Sequence, residues 1–386
     1  QLSTYHMPAS KTMFAILVLG QVVGGSSTVM RCGLQDALCQ EIVKSDTIDF
    51  SDLDTADDRV ELVPNPESVQ SLSLARTDIS PKGMKYLLRM KSLKQLDVQS
   101  TKVTNDDVLH LTAVPLQTLN LNRTKVTDGV FVHINEMRSL SSLYIGGTNV
   151  SDAGLRTLKN HDLQELVIGM TTISDESEEV LSTLRQLELL DIGETHLSEP
   201  AFSRICKGLT RLKTLTVCGL MFKDDWTEGI PKGITYLDCS KTDIGDKGLR
   251  RLVRLPELES LDLRKTKITS QGTVALQKCN KLRSLSLSGR CIDLAAAASL
   301  GGLPELTNLT IEDGDLDDSA VASILNNKGI EYLDLSGNLI TDESLRRLRE
   351  LQDLWFLDLK GTRVTREGID RLIRDWPGKN PPTVKY

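Results

Sequence analysis

The chain reads as an α/β repeat protein in which a short strand and a short helix alternate along its length. Three observations predict this. Leucine supplies 62 of 386 residues while Phe, Tyr and Trp together supply 15, so the core calls for one kind of side chain packed in a regular scheme. A pattern of leucine, two residues, leucine, one residue, an aliphatic, two residues and usually threonine recurs, as in Leu93 to Thr101. The second leucine of that pattern falls at 72, 96, 119, 143, 166, 190, 215, 237, 261, 285, 309, 333 and 357, with gaps of 22 to 25 residues.

Each unit changes its hydrophobic period partway along. Around the anchor leucine, apolar residues alternate, as Leu96 and Val98 do, which predicts a strand with one buried face. Further on they fall three and four apart, as Leu345, Leu348 and Leu351 do, which predicts a short helix. A helix start lies between the two. Ser80-Pro81, Thr127-Asp128, Ser151-Asp152, Ser174-Asp175 and Thr341-Asp342 each offer a hydroxyl cap followed by proline or an acid in the first turn. Glycine often follows, at 83, 129, 154, 248 and 368. A single unit cannot bury its apolar face alone, so the units must stack. Ile48 and Phe50 lie 24 residues before Leu72 and Leu74 and suggest a degenerate unit ahead of the thirteen.

Over roughly residues 69–376 the chain resembles the leucine-rich repeat family. The resemblance implies an α/β solenoid of about 13 repeats, a curved horseshoe with parallel strands on its concave face and short helices on its convex face. Where the family signature has Asn or Cys, this chain has Thr at 77, 101, 124, 148, 171, 195, 242, 266 and 362, and Asn at 338. We read the threonines as a hydroxyl ladder that satisfies turn backbone groups between neighbouring units. The Thr-x-Ile-Thr-Asp-x-Gly-Leu flavour resembles bacterial repeat proteins numerous in planctomycetes.

The flanks read differently. Residues 1–28 place Lys11 before the apolar run Met13 to Leu19 and the small residues Gly24 to Ser27, the order of a secretory leader. The run is too short for a stable membrane span. Export to the periplasm, surface or medium is the reading taken, with a cytoplasmic chain as the alternative. Residues 29–68 read as an acidic N-terminal cap. Nine acids against two bases in residues 40–68 account for the whole net charge of −7. Cys32 and Cys39 could pair if the chain is exported, or remain thiols. Residues 377–386 read as a terminal strand closing the last unit.

No catalytic pattern emerges, since phosphate loop, nucleophile elbow, His-Glu-x-x-His and Cys-x-x-Cys are all missing. No cofactor or metal is called for, and the acidic balance gives no footprint for nucleic acid. Function therefore falls to the strand face. The rows flanking the anchors bring up two patches: Tyr144, Val167 and Leu189 in the middle, and Tyr332 and Phe356 with Asp334, Asp358 and Lys360 near the C-terminus. Tyr236 adds a further aromatic. Such residues match the composition of binding hot spots, against which stands simple cross-strand packing. Asp238 and Asp262 suggest a cation site or, with Lys241, Arg264 and Lys265 nearby, a salt-bridge network. Cys218 faces the concavity, and of the cysteines it is the one to test for reactivity.

The expectation is a non-enzymatic scaffold for a protein partner. The alternatives are a ubiquitin-ligase recognition subunit of the F-box kind, for which residues 29–68 lack a convincing helical pattern, and a glycan-binding surface protein.

Overall fold

In the computed structural model, residues 46–159, 162–289 and 291–386 are described. The proposed leader and the Cys32–Cys39 pair lie outside them. The described residues divide into two compact units, one ending at Leu212 and the other beginning at Lys213.

The first half holds seven strands among its described residues: β1 (Thr47–Asp49), β2 (Ser71–Ser73), β3 (Gln95–Asp97), β4 (Thr118–Asn120), β5 (Ser142–Tyr144), β6 (Glu165–Val167) and β7 (Leu189–Asp191). Each pairs in parallel with the next, anchor leucine beside anchor leucine. The second half holds β8 (Thr214–Thr216), β9 (Tyr236–Asp238), β10 (Ser260–Asp262), β11 (Ser284–Ser288), β12 (Asn308–Glu312), β13 (Tyr332–Asp334), β14 (Phe356–Asp358) and β15 (Thr383–Lys385), again parallel in chain order. Short α- or 3-10 helices connect the strands. Among the described residues the longest is Glu199–Gly208, and the unit anchored at Leu215 has only a 3-10 helix, Asp224–Gly229. Residues 47–61, inside the stretch expected to be a cap, form a strand and helix of the repeat, with Ile48 opposite Leu72.

Every anchor leucine is at most 1% exposed. At roughly 1.5–3 kcal/mol for each buried leucine, this column adds to a core that each unit fills with further aliphatics, as with Leu93, Val98, Val103, Val108 and Leu111 around Leu96. Six of the nine threonines of the turn row are buried and the other three half-buried, and their hydroxyls do something other than expected. Thr101 Oγ1 donates to Val98 carbonyl at 2.7 Å, Thr148 to Ile145 at 2.6 Å, and Thr242 to Cys239 at 2.6 Å. These bonds close the turn of their own unit, three residues back, rather than linking neighbours. A β-branched hydroxyl is too short to reach further. Asn338 is long enough. Its Nδ2 donates to Ile311 and Leu335 carbonyls at 2.7 and 2.9 Å, and its Oδ1 accepts from Gly314 and Leu316 N–H, both at 3.0 Å. It thereby serves the preceding unit, where Gly314 stands in the threonine place and offers no side chain.

In many units the link to the next comes from the acid after the helix cap. Asp128 accepts from Ser151 N–H and Oγ, both at 2.7 Å, Asp246 from Thr269 at 2.8 and 2.6 Å, and Asp342 from Thr365 at 2.8 and 2.7 Å. The cap hydroxyl thus donates to the previous unit, and at Ser151 it also accepts from its own first helical turn, Ala153 N–H, at 3.2 Å. The glycine three residues after the cap makes room. A β-carbon at Gly154 would collide with Asp128 Oδ1 and lie 2.8 Å from Asp128 Cα. Where serine replaces the glycine, it donates to the same acid: Ser177 to Asp152 and Ser344 to Asp318, both at 2.5 Å.

Gly154→Ala should therefore destabilise the chain by about 2 kcal/mol, although alanine is normally the better helix former. At Gly302 an added β-carbon would meet nothing nearer than the Ser299 carbonyl oxygen, at 3.5 Å. Gly302→Ala should accordingly stabilise by about 0.5 kcal/mol. Denaturant midpoints of the two variants shifting in the same direction would contradict this account.

Candidate interaction face

The strand face away from the helices is built by two rows, one residue before and one after each anchor. The later row is governed by a backbone demand. The N–H two residues past the anchor enters the ladder, as Leu74 does to Asp97 carbonyl, and so does the fourth, as Arg76 does to Gln99 carbonyl. The third N–H is left facing the strand surface. An Asp or Asn in the later row takes it up: Asp97 Oδ1 accepts from Gln99 at 2.9 Å, Asn120 from Asn122 at 3.0 Å, Asp334 from Ser336 at 2.9 Å, and Asp358 from Lys360 at 3.0 Å. This side-chain turn satisfies the N–H at the strand's end, although β2 and β8 end as early with Ser73 and Thr216 in that row. The two strands of five residues, β11 and β12, carry Ser286 and Thr310 there, and their pairing runs two residues further.

In the first half the middle patch closes on itself. Tyr144, Val167 and Leu189 pack together and are 4, 6 and 3% exposed. The Tyr144 hydroxyl donates to Glu165 Oε2, itself buried on the same face. Burial raises the Glu165 carboxyl above its usual range, and burial together with that carboxylate raises the Tyr144 phenol. Tyr144 displaces the turn-forming acid of its unit, so Gly146 N–H finds Asn122 Oδ1 of the preceding unit at 2.7 Å instead. The expected apolar strip is a packed cover over the sheet.

In the second half Tyr236 is likewise buried, and Cys218 is 2% exposed, out of reach of a reagent despite its place in the row. Asp238 and Asp262 are register neighbours. Arg264 clasps Asp262 with Nη2 at 2.6 Å and Nε at 3.1 Å, and its Nη1 reaches Glu312 at 3.1 Å. The salt-bridge reading of this cluster is the one the geometry supports. Asp238 remains buried beside Asp262, and desolvation first, then that neighbour, pushes its carboxyl up to about 6.

The C-terminal patch stays open. Tyr332 and Phe356, register partners on β13 and β14, stack with centroids 4.6 Å apart and planes 4° from parallel. Trp355 leans on both, at 5.6 and 5.8 Å, and is 55% exposed. Asp334 and Asp358 lie two residues further along the same strands, Lys360 is exposed, and Lys385 of β15 places Nζ 5.0 Å from the Phe356 centroid. Trp355 escapes a reading confined to the rows flanking the anchor. The row before them carries the signal: Gln70, Lys94, Gln117, Ser141, Gln164, Glu188, Lys213, Thr235, Glu259, Arg283, Thr307 and Glu331 are all polar, and the thirteenth place is Trp355. Among the described residues no group of three or more His, Cys, Asp or Glu could hold a metal ion, and no helix is long and apolar enough to cross a membrane.

A family model described as Leucine Rich repeat matches residues 326–348, the stretch around Asn338. That stretch shares its anchor register with the units before and after it, and its turn closure and cap bracket with the unit after. The matched unit is a leucine-rich repeat. The threonine substitution explains why the leucine-rich repeat signature is plainest where Asn338 restores it. No curated protein matches the chain. Among solved structures, an internalin from Listeria monocytogenes is 17% identical, covering 86% of this chain and 92% of its own, with a TM-score of 0.49.

The buried acids of the later row set a pH dependence. Desolvation, partly offset by the Gln99 N–H and Arg76, pushes Asp97 up to about 6. That folded value lies above the unfolded one, so the folded state holds more protons between the two, and stability rises as pH falls from above 6 towards 4. Asp97→Asn keeps the turn, as Asn120 does one unit on, and removes the charge. It should stabilise by about 1–2 kcal/mol at neutral pH and by nothing near pH 4. Urea titrations at both pH values check this, and an equal effect at both would count against a buried charge.

Proposed function

We propose that this leucine-rich-repeat chain is a non-enzymatic scaffold that holds a protein partner on the strand face of its second half. The observation that carries the reading is the break at Trp355. Twelve polar residues precede it in its row, and the indole there is over half exposed against a stacked tyrosine and phenylalanine. Exposed aromatics held rigid by their neighbours are the residue type that dominates binding energy at interfaces. Tyr332, Phe356, Asp334, Asp358 and Lys360 surround it. Tyr144, Val167, Leu189 and Tyr236 serve in this reading as the packed floor of the strand face. The leader-like order of residues 1–28 supports export to the cell surface or beyond, and the repeat flavour supports a bacterial source.

Because the Trp355 ring is exposed, Trp355→Ala should leave stability within about 0.5 kcal/mol. The same change should weaken the partner by about tenfold or more, as loss of an aromatic anchor does. Parallel affinity captures from the source cells, wild type against variant, check this. Recovery of the same partners in the same amounts would place the interaction elsewhere.

A further inference from the structure

We propose that the aromatic cluster of the second half selects a cationic side chain, lysine or arginine, carried on an extended partner segment. This rests on the reading of that face as a protein-binding surface and names the chemistry it selects.

Two sets of groups converge there. The rings of Tyr332, Trp355 and Phe356 form a continuous platform whose indole is open to solvent. Beside it lie Asp334 and Asp358, register neighbours on β13 and β14. Each gives one carboxylate oxygen to a backbone N–H, and among the described residues neither makes an ion pair. Asp262 on β10 shows the contrast, since its charge is met by Arg264. The carboxylates also act on the platform itself. The Tyr332 phenol is pushed up to about 12 by burial first, then by Asp334, Asp358 and Glu312.

An apolar or acidic partner laid over this site would take Asp334 out of water and complete the burial of Asp358, already only 9% exposed, without pairing either charge. An ammonium or guanidinium meets both needs, pairing with the carboxylates while its charge lies over the ring faces. The chain already displays the compatibility, for Lys385 Nζ lies over Phe356 and leaves Trp355 uncovered. A segment in extended form suits a face made of parallel strands, where rings and carboxylates are two residues apart along each strand.

The test is to pan a random linear peptide library, displayed on phage, against the full chain, against Trp355→Ala, and against the double variant Asp334→Asn, Asp358→Asn. Asparagine keeps the N–H bond, as Asn120 does, so the double variant removes charge without removing the turn. The expected result is enrichment of Lys- or Arg-containing sequences on the wild type. A synthetic peptide of that sequence should lose about tenfold or more in affinity on the double variant and should weaken with added salt. Enrichment of sequences without basic residues that still depend on Trp355 overturns the cation chemistry and leaves the binding face standing. Peptides that bind wild type and Trp355→Ala alike overturn the face itself. Retention of neutral oligosaccharides from a glycan array, with no basic peptide enriched, overturns both.

Discussion

A typical repeat of this chain is completed by its neighbours. Its anchor leucine is buried only because a leucine of the same register lies on the neighbouring strand, and its helix cap is completed by an acid one turn back. The cap bracket imposes the tightest rule. A serine or threonine hydroxyl has one proton to give, and giving it to the preceding aspartate leaves its lone pairs for its own helix. The arrangement puts a carboxylate against the next unit's first turn, where a glycine, or a serine that can donate, usually stands three residues after the cap; Ala201, after the Asp175–Ser198 bracket, is the departure.

The exceptions obey the same rule. Pro81 cannot accept, and the following unit supplies its own acceptor, Asp107, which bonds Thr104 N–H at 2.9 Å and Oγ1 at 2.8 Å. Leu294 cannot accept either, and Asp317 in the next unit caps its own helix through Ser319 and Ala320 N–H. Asn105 replaces the acid by an amide, accepting from Thr127 N–H and donating to its hydroxyl. Each of these departures finds a substitute acceptor because an unmet N–H in this part-buried seam costs about 1–3 kcal/mol.

The stacking is legible in the sequence because it is periodic. Anchor spacing places all thirteen strands, and Ile48 places the one before them. Direction and reach are not legible in the same way. Pattern alone suggests that Thr101 and its equivalents link units, yet their hydroxyls are too short to leave their own turn. The acid after the cap looks like an answer to the helix dipole, yet its partner lies some 23 residues ahead. Tyr144 does stand on the strand face, but its burial follows from Val167, Leu189 and Glu165 acting together, which no single row shows. Trp355 is visible in the sequence and lies in a row that strand alternation assigns to the edge.

These demands decide where a binding surface can arise on such a scaffold. The cap, the turn threonine and the later strand row are committed to backbone groups, so an aspartate there is explained before any partner is invoked. The two rows before and at the start of each strand carry no such duty, since their side chains meet no orphaned N–H. Selectivity must be written in them. In the first half the earlier face row is taken up by a sealed network around Glu165 and Leu189. In the second half Tyr332, Trp355 and Phe356 occupy both free rows at once, beside turn aspartates that make no ion pair among the described residues. The acids are there for the backbone, and the rings turn their leftover charge into a surface that can discriminate.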